Sequence, residues 1–258
     1  MISETTSLDE IRSKFQVISD THLEKMSGDI VPDIEALCPY LILAGDIGYP
    51  NQQSYWRFVE DASNKFQIVF LILGNKEFSI GPYRFVPTFV RDTIRRKRLT
   101  NVIFLDGTTF DFYIDDIRIR VIGTTLWTYC ADPDPYRFRR IVYHRPDGSI
   151  GNFGEINNMV FLESCRWLER EIDRCSEDGC KAIIITHHVP SFKLLKLEYR
   201  IGWNNYMNEY YASDCEHLFR EPVVAWYYGH TNDKGKQVLN DIAFYIGSSN
   251  ANKDEDDF

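Results

Sequence analysis

Aspartate, asparagine and histidine concentrate in five short polar runs of this chain, and these are the side chains that ligate hard and borderline divalent cations. The runs are Asp20-Thr21-His22, Gly45-Asp46, Gly74-Asn75-Lys76-Glu77, Thr186-His187-His188 and Gly229-His230-Thr231-Asn232. Together they offer enough oxygen and imidazole donors for two divalent ions, with one carboxylate able to bridge them. Neither a Ser-His-Asp nor a Cys-His signature offers a covalent nucleophile instead.

Each run follows an apolar stretch that reads as a strand: FQVIS, YLILA, QIVFLIL, KAIII and VVAWYY in turn. Burying the strands gathers the polar residues at one rim of a sheet. Asp20 and His22 can face one ion while Thr21 points elsewhere. An isolated Asp20 would read as a helix N-cap, and the four other runs weigh against that reading. Gly45 lets the backbone turn sharply, which makes the Asp46 carboxylate the natural bridge. Asn75, after Gly74, can coordinate through its amide oxygen.

Helical spacing of apolar residues covers Tyr55 to Lys65 and Tyr83 to Arg98, the latter ending in Arg95-Arg96-Lys97-Arg98. From Val102 to Trp127 the pattern is strand upon strand, with Asp115-Asp116 as a hairpin turn. Cys130 to Asn152 reads as a long functional or capping loop. A helix follows from about Glu155 to Cys175, with Phe161, Leu162, Cys165, Leu168 and Ile172 on one face. After a strand at 181–186, an irregular stretch leads to a helix near Ala212 to Phe219, and the end reads as strands, VVAWYY, KQVLN and IAFYIG, with Asn240-Asp241 as the turn. The expected fold is α/β (α+β): a four-layer sandwich of two mixed β-sheets flanked by helices.

The 258 residues show no Pro/Gly/Ser-rich linker, so residues 1–249 read as a single domain and 250–258 as an acidic disordered tail. With 44% hydrophobic and 14% aromatic residues, a substantial core can be buried. The net charge of -9 disfavours nucleic acid and anionic membrane as partners. Six cysteines without C-x-x-C spacing read as reduced thiols. The N-terminal MISETTSLDEIRSKF lacks the apolar core of a signal peptide, and no apolar stretch reaches a membrane span, so the expected location is the cytoplasm.

The five runs resemble the calcineurin-like metallophosphoesterases, whose pattern is D-x-H, G-D-x-x-D, G-N-H-[DE], a lone His after a strand, and G-H-x-H. The resemblance spans roughly residues 15 to 249, and Gly123-Thr124-Thr125-Leu126-Trp127-Thr128 and Thr186-His187-His188-Val189-Pro190-Ser191 look like its prokaryotic and viral branch. It implies that Asp20 and His22 hold one ion, that Asp46 bridges, and that Asn75, His187 and His230 hold the second. His187 occupies the first-His position, which leaves His188 to turn toward substrate. Two ions about 3.5–4 Å apart lower the pKa of a bridging water and stabilise the charge that grows during in-line attack on phosphorus.

Three positions depart from the pattern. Lys76 stands where the family has a His that contacts phosphate and assists the leaving oxygen; lysine offers a point charge there. Asn232 replaces the second His of the last motif, and an amide oxygen favours harder ions such as Mn or Mg over Zn. Tyr49 replaces the second Asp of G-D-x-x-D.

The expected function is hydrolysis of a small phosphorylated substrate, a phosphomonoester or phosphodiester, by a metal-bridging hydroxide. Two divalent ions serve it, Mn ahead of Mg, Zn, Fe, Co or Ni, with Lys76 and His188 as catalytic residues. The competing reading, motivated by Lys76 and Asn232, is a degenerate member that binds a phosphorylated ligand or protein partner without turnover. Away from the motifs, Arg95 to Arg98 read as a solvated helix end. Trp203, Asn204 and Asn205 are candidate pocket residues, and Arg137, Phe138, Arg139 and Arg140 mix basic and aromatic character suited to a phosphorylated ligand.

Overall fold

In the computed structural model, which describes residues 7–26, 31–196, 208–231 and 233–247, four strands pair in chain order as a parallel sheet: β1 (Phe15–Ile18), β2 (Tyr40–Ala44), β3 (Ile68–Ile72) and β4 (Val102–Phe104). Helix α1 (Leu8–Ser13) precedes β1, and α2 (Gln53–Lys65) and α3 (Phe85–Lys97) are the crossovers that parallel pairing requires. The second sheet is built from β5 (Thr108–Ile114) and β6 (Ile117–Gly123), then β9 (Lys181–Ile185), β10 (Val223–Tyr228), β11 (Lys234–Leu239) and β12 (Ile242–Gly247). Their order across it is β11-β12-β10-β9-β6-β5. Helix α4 (Asn157–Glu177) packs on β6 and β9. Between β6 and α4, strands β7 (Val142–His144) and β8 (Ile150–Asn152) form a separate small hairpin.

Alternation along the central strands explains why they are apolar throughout. In β2, β3 and β9, Ile42, Ala44, Phe70, Ile72, Ile183 and Ile185 point into the core between the sheets. Their neighbours Leu41, Leu43, Val69, Leu71, Ala182 and Ile184 point the other way, into the core shared with the helices. Strands buried on both faces cannot alternate polar with apolar, so they read as continuous runs. A register shift between Val223 and Ala225 in β10 puts Val224 and Ala225 together on the inter-sheet side.

The two-sheet sandwich with outer helices is the expected architecture, with one refinement: the first sheet is wholly parallel rather than mixed, and of the two large sheets only the second holds antiparallel pairs, at β5/β6 and β11/β12. Both hairpins turn where the sequence places them. Asp115 is left-handed at the first, and Asn240 and Asp241 are both left-handed at the second. None of the six cysteines is in a disulfide.

Two segments differ from expectation. The long loop from Cys130 is no bare cap, because Phe138, Ile141 and Phe153 are buried and the β7/β8 hairpin lies within it. The helix expected near Ala212 to Phe219 is only a 3₁₀ turn at Glu216–Leu218. Here Ser213 N–H donates to the Val189 carbonyl at 3.1 Å and Cys215 N–H to Pro190 at 2.9 Å, so tertiary pairing takes the bonds a helix would use. Arg95, Arg96 and Lys97 do form an exposed end of α3. The tail at 250–258 lies outside the described residues.

Candidate metal centre

The polar runs sit at the C-terminal ends of five parallel-paired strands, three from the first sheet and two from the second. Asp20 and His22 follow β1, Asp46 follows β2, Asn75 follows β3, His187 follows β9 and His230 follows β10. Ligand atoms of Asp20, Asp46, His187 and His230 all lie within 4.8 Å of one another, and all four residues are buried. Asp20, His22, Asp46 and His230 have φ of 52°, 51°, 53° and 74°. Left-handed backbone at a non-glycine residue costs on the order of 1–3 kcal/mol, and its clustering here marks strain retained for a function. Asp20 is therefore no helix N-cap. Close approach needs glycine at two points: a Cβ on Gly45 (φ +85°) would lie 2.5 Å from the Gly74 nitrogen, and one on Gly74 would lie 2.6 Å from the Asp46 nitrogen.

The hydrogen bonds fix the imidazole tautomers. His187 Nδ1–H donates to the Ala44 carbonyl at 2.8 Å, and His230 Nε2–H donates to the Tyr210 carbonyl at 3.1 Å. The remaining nitrogens, His187 Nε2 and His230 Nδ1, face each other at 3.2 Å. Asn75 Oδ1 lies 3.1 Å and Asp46 Oδ2 3.4 Å from the same Nε2. With His187 deprotonated, lone pairs converge from two carboxylates, two imidazoles and an amide, a surplus of acceptors that a divalent cation fits.

The charges respond to this crowding. Burial disfavours protonation of His187, but the Asp46 charge and hydrogen bond, and the Asp20 charge, outweigh it and raise its pKa to about 9. Burial and the His187 charge lower His230 to about 3. Asp46 is held well below the carboxylate range, against its burial, by His187, His22 and Lys76, whereas burial and the Asp46 charge raise Asp20.

Two carboxylates behind the rim carry no role in the sequence reading. Glu77, fully buried, accepts the N–H of Asp46 at 3.0 Å, Ile47 at 2.8 Å and Gly74 at 2.9 Å, locking the second and third runs together. Burial and the neighbouring Asp46 push its carboxyl up to about 8. Glu24 Oε1 lies 3.1 Å from His22 Nδ1, which leaves Nε2 for an ion. His22 lies outside the four-residue group, although its charge is felt by Asp46. Glu77 stands at the [DE] of its motif, so spacing alone could have flagged it, whereas Glu24 has no such signal.

Lys76 is half-buried; its backbone N–H donates to Asp46 Oδ1 at 2.9 Å, and its ammonium shifts both Asp46 and His230. His188 Nδ1–H faces the Thr125 carbonyl at 3.3 Å, and burial with the two neighbouring histidines keeps the ring neutral. Asn75, His188 and His230 line one cleft together with Trp127, Arg137 and Tyr210. Asn232, Trp203, Asn204 and Asn205 lie outside the described residues.

A sequence model of the calcineurin-like phosphoesterases matches residues 13–233. Uncharacterized protein L509 of Acanthamoeba polyphaga mimivirus is 27% identical over 216 residues, 79% of this chain and 75% of the viral protein. In structure the chain is similar to the phosphopantetheinyl hydrolase of Mycobacterium tuberculosis, with a TM-score of 0.64 and 12% identity over 91% of this chain and 88% of that one. At that identity the structural likeness speaks for the fold alone.

Proposed function

Because the chain belongs to the calcineurin-like phosphoesterase family, we propose that it is a metal-dependent phosphohydrolase acting on a small phosphorylated substrate. The observation that carries this reading is the convergence of Asp20, Asp46, His187 and His230 on one acceptor-lined space beside a cleft. We assign Asp20, His22 and Asn232 to one ion, Asn75, His187 and His230 to a second, and Asp46 to both. This mixed oxygen and nitrogen set suits Mn best, with Mg, Zn, Fe, Co and Ni as alternatives. Such ions supply Lewis-acid polarisation of phosphate and a lowered pKa for water.

The protein's own residues do the rest. Lys76 Nζ neutralises a phosphate oxygen and donates toward the leaving oxygen, the place a positioned acid must occupy. His188, neutral and with Nδ1–H engaged by Thr125, offers Nε2 as an acceptor to a water beside the bound ester. Glu77 and Glu24 hold the ligating runs in register. The substrate is reached in the cytoplasm, without nucleic acid or membrane as partner. No helix among the described residues is long and apolar enough to cross a membrane.

The second reading, binding without turnover, is favoured by one observation, the lysine at position 76 in place of an imidazole. Purified protein loaded in turn with Mn, Mg, Zn, Co and Ni and assayed on aryl phosphate mono- and diesters decides between them. Hydrolysis by the wild type that falls on the order of 10²-fold in Lys76→Ala is expected. Activity appearing only in Lys76→His would overturn the enzyme in favour of a degenerate member.

A further inference from the structure

The loop that closes the cleft brings a cation to it. Arg137 lines the cleft with Asn75, His188 and His230, and its guanidinium lies 4.7 Å over the Tyr210 ring. Tyr210 is buried and does three things at once. Its carbonyl accepts from His230 Nε2–H at 3.1 Å, its hydroxyl accepts the Asp134 N–H at 2.8 Å, and its ring carries the guanidinium. The loop is fixed further by Ala131 N–H to Glu209 Oε2 at 2.7 Å, by Asn152 Nδ2 to the Pro135 carbonyl at 3.0 Å, and by the buried Phe138 and Ile141. A guanidinium held this way is pre-ordered, and it offers a fixed charge and N–H donors to a phosphate oxygen that reaches the cleft wall.

The chemistry of the ester then gives the site a preference. A phosphomonoester has three terminal oxygens and is a dianion above about pH 6–7, as free phosphate esters are. A diester has two terminal oxygens and one charge. With two oxygens facing the Asp46 rim, only a monoester keeps a third for the cleft wall, and a diester places its second ester arm against the cation instead. We propose that Arg137 is the anion anchor of the cleft and makes the site selective for phosphomonoesters over phosphodiesters. The inference rests on the hydrolase reading for its substrate class and not for its binding.

Calorimetric titration of the Mn-loaded protein at pH 8 with inorganic phosphate and with dimethyl phosphate tests it. Arg137→Gln is expected to weaken the phosphate Kd on the order of tenfold or more, with Arg137→Lys in between, while dimethyl phosphate loses less than about threefold. The ratio of kcat/KM for an aryl monoester over its diester should fall in parallel. Lysine keeps the charge, though not the planar stack on Tyr210, so it reports on the charge even if glutamine loosens the loop. An unchanged phosphate Kd in both variants, an equal loss for the two anions, or no phosphate binding by the wild type overturns the proposal. A wild type that binds phosphate through Arg137 yet hydrolyses nothing supports the anchor and refutes the hydrolase; hydrolysis with a phosphate Kd indifferent to Arg137 does the reverse.

Discussion

Asp46 ties three runs of the centre together: Oδ1 accepts the Lys76 N–H, Oδ2 lies 3.4 Å from His187, and the residue hangs on a left-handed backbone locked by Glu77. Asp46→Asn keeps the size and removes the charge, so it is expected to lose at least one metal ion and all hydrolysis while the protein remains folded. Full metal occupancy in that variant, by elemental analysis, would contradict the bridging assignment. His187 supplies a pH dependence in the metal-free chain. Its folded pKa of about 9 exceeds the ordinary 6.5, so its contribution to stability is complete below pH 6.5 and is lost as the pH rises to about 9. The thermal midpoint of the chelator-treated protein should fall across that window, with Glu77, raised to about 8, adding to its lower part, and His187→Asn should reduce the fall, most of all above pH 8. An equal fall in the variant would assign the titration elsewhere. That Asp20, Asp46, Asn75, His187 and His230 come together was legible in the sequence because each follows an apolar strand, and periodicity carries that signal. What the sequence does not carry is direction: nothing in Gly229-His230 says that Nε2 will meet a carbonyl twenty residues away and so turn Nδ1 inward.

Elements rather than residues set how firmly the centre is held. Short turns after β2 and β3 meet over Glu77, whose carboxylate stands in for the pairing partner that three buried amides would otherwise lack. Removing it in Glu77→Ala should cost more than about 3 kcal/mol, since each orphaned buried donor costs on the order of 1–3 kcal/mol. Glu77→Gln, which keeps one acceptor oxygen, should cost less. Urea midpoints of the two variants check the order, and equal midpoints would mean that solvent reaches the amides. The central strands were readable because both faces are buried, and the β5/β6 and β11/β12 turns because Asp and Asn tolerate left-handed φ. The stretch at 212–219 was misread as a helix because its apolar spacing is helical while its N–H groups are claimed by Val189 and Pro190. Pairing between distant segments leaves no local pattern to find.

At the scale of the molecule, the candidate centre is a seam. One sheet brings Asp20, Asp46 and Asn75 to it and the other brings His187 and His230. Protein contacts already cross there, from His187 Nδ1 to the Ala44 carbonyl and from Thr125 Oγ1 to the Leu73 carbonyl at 2.9 Å. The inter-sheet core below is apolar and undirected, so these polar ties, and any cation between them, fix how the strand ends of one sheet stand against those of the other. A ligand that binds only the folded state stabilises it by about 2.7 kcal/mol at a hundredfold excess over Kd. Mn at that excess is therefore expected to raise the thermal midpoint, and to slow hydrogen exchange at the C-terminal ends of β2, β3, β9 and β10 together. Asp46→Asn, which cuts the seam on one side only, should weaken both effects. Slowing confined to one sheet, with the other unchanged, would place the ion on a single sheet and remove the reason for drawing ligands from two.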